Sequence, residues 1–589
     1  MLIRNGGVLI FAVWLSVGAL GAEPGKGIQW MPWSEKIFEQ AKRENRFVLL
    51  DLGAGWCHWC HVMEEITYQD PDVIRLLGQR YLAVHVDQDS RPDLANRYED
   101  YGWPATIVFN TDGSEIVKRQ GYIPPKPMAS LLQAIIDDPS PGPSVTKEPV
   151  ILPNAAGTLS ADRREALRKT LIDNYDAEHQ GWGTIHKYID WDIIEYCLGE
   201  APVAGMDWEK RARATLNAAR ALIDPAWGGI YQYSTDGDWE HPHFEKIMSM
   251  QAEDLRIYSL AYARWKDAAD RRSAEKIRDF LTGFLADPGG AFYTSQDADV
   301  VPGEHAGEYF ALDDAKRRAL GIPRIDTHLY ARENGWAVTG LCGFFNATGE
   351  KEALDRAVQA GNWILAKRAL PSGGFSHDAQ DAAGPYLGDN VAAARAFLAL
   401  YVSTEDRAWL ARSEKAMRFA DETFRSKIGY RTAAVAGALE PQPQLDENIA
   451  MARTANLLQH YTGSAEYRRI AEHAAGYLTA AGVAENRGLL VGGILLVDRE
   501  LGAPPLHVTI VGAKSDPKAQ ALFRAALALA PTYKRVEWLD RAEGPLPNGD
   551  VEYPTLAKAA AFVCTASACS SPIMDPAALA KKVATAAPQ

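Results

Sequence analysis

Three shortages bound this sequence before any motif is read. Positive charge is in deficit: 62 Lys and Arg stand against 76 Asp and Glu, a net charge of −14. Phosphate contacts need clustered basic side chains, so no nucleic-acid partner is expected. Long apolar runs are missing beyond the first residues, and no later run is continuous enough to span a bilayer. Cysteine is scarce, six in 589 residues, falling into two close pairs and two singles. What is present, 47% apolar and 10% aromatic residues, is the make-up of folded domains, and the length calls for roughly two to four of them.

The one early apolar run, Val8 to Leu20, follows Arg4 and precedes Gly21-Ala22. That is the three-part pattern of a secretory signal with cleavage near Ala22. Residues 1–22 are read as a signal peptide and the address as the periplasm or the exterior; anchoring to the membrane by an uncleaved signal is the alternative. No membrane span is expected once the signal is cleaved. In an oxidising compartment Cys57/Cys60 and Cys564/Cys569 are each close enough in sequence to form a disulfide. Cys197 and Cys342 sit in apolar helical surroundings and read as buried, inert thiols.

Residues 23–145 read as a thioredoxin-like unit. IFEQAKREN predicts a helix, RFVLLDLGAG a buried strand, and HVMEEITY a helix. YLAVHVDQD and ATIVFNTDG predict further strands, with Asp112-Gly113 as the turn of a hairpin. Between the first strand and its helix lies Cys57-His58-Trp59-Cys60. At a helix start the first sulfur meets unpaired backbone N–H groups that favour its thiolate. The second, one turn on, can attack a mixed disulfide and release the partner. Cys57 is then the nucleophile and Cys60 the resolving thiol, and a protonated His58 would favour the thiolate further. Asp51, in the pattern D-x4-W-C, matches the carboxylate that relays a proton for a resolving cysteine, and Pro104 stands where the thioredoxin order places a cis-proline. A zinc site using His58 and His61, and a purely structural disulfide, are the rival readings. Adjacent helix-start positions converge poorly on one tetrahedral ion. Thiol exchange is favoured, with no metal and no cofactor expected.

A Pro/Ser linker, residues 137–149, separates this unit from Ala-rich helices over 150–503. These are punctuated by QGWGTI, WGGIY, PGGAFY, SGGFSH and VGGILL, read as turns between helical hairpins. A toroid of paired helices with its loops at one mouth is the natural closure. Two loops are dense in groups that sugar sites use, aromatic faces and paired carboxylates: Trp227, Trp239, His243 and Glu245 in the first, Asp297, Asp299 and Glu308 in the second. Capping and loop-tying are the plainer roles for the same residues. The expectation is that the two loops meet at one mouth, with His243, Glu245 and Asp297 facing a shared cavity beside Trp227 or Trp239. Residues 504–589 read as a small α/β unit with Cys564 and Cys569 as a second disulfide.

The runs CHWCHVME, VDQDSRPDL, GWPATIVFNTDG, YSTDGDWEHPHFEKIM, TSQDADV and AFVCTASACSSPI resemble, in order, the thioredoxin-domain family that includes spermatogenesis-associated protein 20 and its bacterial relatives. That resemblance implies a multidomain α+β chain: a thioredoxin-like domain followed by an (α/α)6 toroid like those of six-hairpin glycosidases and sugar epimerases. The chain departs from the family in its Asp51 lead-in, its expected signal and the shortened YGWPAT run. The functional expectation is a thiol–disulfide oxidoreductase fused to a toroid that binds a protein thiol or disulfide partner or a small carbohydrate-like substrate. The alternatives are a carbohydrate-active enzyme and a non-catalytic binding protein.

Overall fold

The computed structural model describes residues 27–146, 151–200, 207–435, 437–565 and 568–586. The expected signal, 1–22, lies outside the described residues. Among those described, no helix is long and apolar enough to cross a membrane.

The N-terminal sheet is built from β1 (Phe47–Gly53), β2 (Tyr81–Asp87), β3 (Ala105–Phe109) and β4 (Glu115–Gln120), in the order β2-β1-β3-β4. β1 and β2 run parallel, whereas β3 is antiparallel to both β1 and β4. Every residue of β1 is buried, because one apolar cluster covers each face of the sheet. A continuous apolar run is what a strand covered on both faces requires, and FVLLDLG provides it apart from Asp51. The Asp112-Gly113 turn joins β3 to β4, as the sequence predicts.

Beyond the linker, six helices form a closed inner ring: Trp191–Gly199, Met248–Trp265, Ala331–Thr348, Leu387–Thr404, Leu445–Thr462 and Gly492–Gly502. Each packs on its neighbours, and the last returns to the first. Outer helices stand behind them, among them Ala268–Gly283, Lys351–Lys367, Arg407–Phe424 and Ala465–Leu478. This is the (α/α)6 toroid. Its outer helices show one apolar stripe, whereas the inner ones, covered on most sides, are buried over nearly their whole length.

Buried amides fasten the glycine-aromatic turns to the inner ring. Asn334 Oδ1 accepts from Phe292 N–H at 2.8 Å, and its Nδ2 donates to the Phe292 and Tyr330 carbonyls. Asn390 binds Phe375 and Tyr386 in the same way, and Asn448 binds Tyr430 and Gln444. Gln251 holds both backbone groups of Ile230. One predicted turn is corrected: VGGILL is not a turn, because Gly492 and Gly493 begin an inner helix. A Cβ at Gly492 would stand 2.6 Å from Ile193 N, so glycine there lets the last inner helix close on the first.

The C-terminal three-stranded sheet orders Lys534–Leu539, Leu506–Val511 and Ala560–Cys564, with Pro517–Leu527 and Pro576–Ala586 packed on it. It sits at the C-terminal ends of the inner helices, where Phe345 and Val402 pack against its core and Trp538 N–H donates to Glu405. The thioredoxin-like sheet unit covers the opposite, N-terminal ends. The toroid is thus covered at both ends.

Candidate active site

Cys57 and Cys60 are disulfide-bonded, and Cys57 is the N-cap of the His58–Val62 helix. Cys60 N–H points at Cys57 Sγ, 3.2 Å away. With Ala54 and Trp56 the two cysteines form a small buried cluster, and Trp103 from the cis Trp103–Pro104 segment packs on it. Asp51 stands in β1, 3% exposed, directly opposite His85 of β2 in the parallel register. Tyr68 Oη donates to one Asp51 oxygen at 3.0 Å, and His85 Nδ1 lies 2.9 Å from the other. Hydrogen bonding to Asp51 holds the His85 imidazole above its ordinary pKa. Gly53 leaves a gap between this pair and the sulfur: a Cβ there would be 3.6 Å from Cys60 Sγ and 3.7 Å from His85 Cε1. His85 escaped the sequence reading, because only the parallel register of β1 on β2 sets it beside Asp51.

The cysteine segment faces inward, onto the toroid. His58 Nδ1 lies 2.8 and 3.0 Å from the two oxygens of Asp299, and His61 Nε2 lies 3.0 and 3.2 Å from those of Asp297. Burial pulls the His61 pKa down, but its bond to Asp297 and the nearby carboxylates outweigh this and raise it. Glu245 Oε1 accepts from the His58 backbone N–H at 3.4 Å, Trp56 O accepts from Ala298, and Arg324 donates to Gly55 O. Ile247 covers the cysteine cluster from the toroid side. Cys57 and Cys60 are consequently only 4% exposed each.

The structure therefore brings the 233–248 and 294–308 loops together, through antiparallel pairing of Lys246–Ile247 with Ser295–Gln296. Glu245, Asp297 and Asp299 meet the cysteine helix and do not line the cavity inside the ring. His243 stacks on Tyr233 with ring centres 4.4 Å apart and lies 3.8 Å from Glu245. Glu308 is exposed. Trp227 and Trp239 are buried, their indoles donating to Asp314 and to the His179 carbonyl. Among the described residues, His61, Asp297 and Asp299 each bring one ligand atom within 4.8 Å of the others, close enough to hold a cation. The cysteine sulfurs are joined to each other, and both histidines turn from them to separate carboxylates. Cys564 and Cys569 form a second disulfide, while Cys197 and Cys342 are buried free thiols. Burial pushes the Cys342 thiol up to about 12, well outside the reactive range.

Residues 20–136 match the family model described as Thioredox_DsbH, "Protein of unknown function, DUF255". Spermatogenesis-associated protein 20 of Mus musculus is 27% identical over 314 residues, 47% of this chain and 39% of its own. The match thus spans about two fifths of the length of that curated relative. Thiol:disulfide interchange protein DsbD 2 of Pseudomonas aeruginosa is 28% identical over 137 residues, 18% of this chain and 23% of its own. Among solved structures, a D-mannose isomerase superposes with a TM-score of 0.44 at 13% identity, covering 58% of this chain and 97% of that one. The chain is similar to the thioredoxin-domain proteins related to spermatogenesis-associated protein 20, with a thioredoxin-like, DsbD-type cysteine domain joined to a six-hairpin toroid.

Proposed function

We propose that the chain is a thiol–disulfide oxidoreductase of the periplasm or exterior, whose Cys57–Cys60 pair is docked against its own toroid. The observation that carries this reading is the disulfide at a helix N-cap, backed by buried Asp51 and its half-exposed partner His85 on the Cys60 side of the strand pair. A partner thiolate attacks Cys57 Sγ, the Cys57–Cys60 bond breaks, and Cys60 leaves as a thiolate that takes a proton from the His85–Asp51 side. A second partner thiol then attacks the mixed disulfide; the partner leaves oxidised and the pair is left reduced. The reverse sequence oxidises the pair at the expense of a partner disulfide. Because the cysteine pair is buried under Ile247, with Glu245 bonded to the neighbouring His58 N–H, a protein partner reaches it only when the domain swings off the toroid.

Trapping tests the assignment. A Cys60→Ala chain lacks the resolving thiol and accumulates mixed disulfides with partner proteins, visible as reductant-sensitive bands on non-reducing gels. A Cys57→Ala chain accumulates none. Equal trapping by both variants, or by neither, removes the reading.

A further inference from the structure

The C-terminal sheet has two unlike faces, because successive strand residues point to opposite sides. Val508, Ile510, Val536, Trp538, Ala561 and Val563 lie on one side, under the two helices, and form an apolar core. The other side carries Arg535, Glu537, His507, Thr509 and Cys564. Register sets Arg535, His507 and Cys564 in one row across the three strands, with Glu537 and Thr509 in the next. Tyr553, from the segment between Lys534–Leu539 and Ala560–Cys564, packs over this side. We propose that Cys564–Cys569 is a second thiol–disulfide exchange site, in which a solvent-borne thiol attacks Cys569 and Cys564 is the leaving sulfur.

Hydrogen bonding singles out the leaving sulfur. A disulfide sulfur has no proton, so Tyr553 Oη is the donor in its 3.6 Å contact with Cys564 Sγ. With its proton so used, Tyr553 Oη accepts from Thr509 Oγ1 at 2.7 Å. Thr509 Oγ1 accepts in turn from His507 Nε2 at 3.0 Å, and the same nitrogen lies 2.9 Å from Glu537 Oε2. Arg535 holds that Glu537 oxygen at 2.7 Å and Asp550 at 2.6 Å. Both hydroxyls thus donate towards Cys564, and a negative charge arriving on its sulfur strengthens the links behind it. Exposure singles out the attacked sulfur: Cys564 is 3% exposed, whereas Cys569 is an exposed residue, and exposed disulfides are the labile ones.

A structural staple is the plainer role, but the turn leaves it little to do. Cys564 and Cys569 face each other across a hairpin that backbone bonds already close. Thr565 N–H donates to Ala568 O and Ser570 N–H to Val563 O, both at 2.8 Å, and Ile573 N–H donates to Ala561 O at 2.9 Å. A cross-link stabilises least where it closes the shortest loop, and these cysteines are five positions apart. The hairpin therefore keeps its shape in both redox states, as an exchanging pair requires.

In the forward direction a thiolate attacks Cys569 Sγ, the Cys564–Cys569 bond breaks, and Cys564 leaves as a thiolate hydrogen-bonded by Tyr553. A second thiolate attacks the incoming sulfur of the mixed disulfide, Cys569 leaves as a thiolate, and the two thiols depart as one disulfide. The protons shed by those thiols return to the cysteines through solvent. A disulfide of another molecule takes the two electrons back by the reverse steps. This pair lies at the opposite end of the ring from Cys57, and the proposal stands whether or not Cys57 exchanges.

The test uses the full chain carrying Cys57→Ala and Cys60→Ala, with mixtures of reduced and oxidised glutathione as the probe. After acid quench and alkylation, mass spectrometry of the peptide holding Cys564 and Cys569 is expected to show reversible reduction while circular dichroism stays native. When Cys564→Ala is added, Cys569 is expected to take one glutathionyl group from oxidised glutathione about ten-fold or more faster than Cys564 does when Cys569→Ala is added. Tyr553→Phe is expected to slow reduction about ten-fold, the loss of one hydrogen bond to a charged sulfur. Thr509→Val removes the donor behind the tyrosine; it is the second variant should Tyr553→Phe fail to fold, and it is expected to slow reduction as well. A pair that stays oxidised until the chain unfolds is a staple and overturns the proposal. Faster uptake at Cys564 overturns it too, as does an unchanged rate in a folded Tyr553→Phe or Thr509→Val chain.

Discussion

At Asp51 two donors meet one carboxylate, and both come from elements that the sequence places beside it only once strand pairing is known. Tyr68 Oη and His85 Nδ1 leave the side chain buried and fully hydrogen-bonded. An amide at this position keeps the shape but cannot pass a proton to or from Cys60. Asp51→Asn is therefore expected to slow resolution of a mixed disulfide by about 10²-fold while leaving the first attack on Cys57 nearly unchanged. Rapid-quench kinetics with an oxidised model peptide separates the two steps; equal slowing of both would remove the relay. At this scale the sequence was legible wherever chemistry is local. Cys57, Cys60 and Asp51 stand in one short run. The partners of His58 and His61 were not legible as partners, because Asp299 and Asp297 lie 241 and 236 residues away and carry no mark of what they face.

The glycine-aromatic turns are better understood as halves of a clamp than as breaks in the chain. Phe375, for example, gives both backbone groups to Asn390, which also holds the Tyr386 carbonyl. Asn390→Ala strands three buried backbone groups, and a loss of about 2–4 kcal/mol is expected from their desolvation. Urea unfolding of the variant measures it, and the equivalent changes at Asn334 and Asn448 should cost similar amounts. Apolar residues repeating at helical spacing mark the helices in the sequence: Val391, Ala394, Leu398 and Tyr401 follow that spacing, and all fall on one buried inner helix. Periodicity is silent about a buried polar clamp. Glycine pairs were ambiguous for a related reason: the residue that frees a turn at Gly373 also lets two helices touch at Gly492.

Between the thioredoxin-like domain and the ring, His377 is a bridge with a pH dependence of its own. Nε2 lies 2.7 Å from the Asp89 carbonyl and Nδ1 2.9 Å from Asp389, so both ring nitrogens face acceptors and the imidazolium satisfies both. Tyr330 stacks on the ring at 4.0 Å, and Glu333, Asp381 and Arg332 complete the charged surroundings. Burial lowers the pKa, Asp389 and Glu333 raise it, and the sum is a rise from 6.5 to about 9. The folded value lies above the unfolded one, so this contribution is fully present below about pH 6.5 and is lost as pH rises through about 9. About 3 kcal/mol of stability should disappear across that window. His377→Gln should be less stable at pH 6 and flatter between 6.5 and 9 when unfolding midpoints are followed; an identical profile would remove the bridge. The order of domains was open to sequence reading, since linker composition and turn spacing are local. Which end of the ring each unit covers was not, because that depends on contacts such as Asp89 with His377 that no local pattern encodes. Ring closure at Gly492 carries one more consequence. During synthesis Trp191–Gly199 emerges from the ribosome long before Gly492–Gly502, the helix on which it must finally rest. Until then the earlier helix pairs hold an open horseshoe with an unmatched apolar edge. A ribosome stalled short of residue 492 therefore holds a chain in need of a chaperone, not a smaller ring.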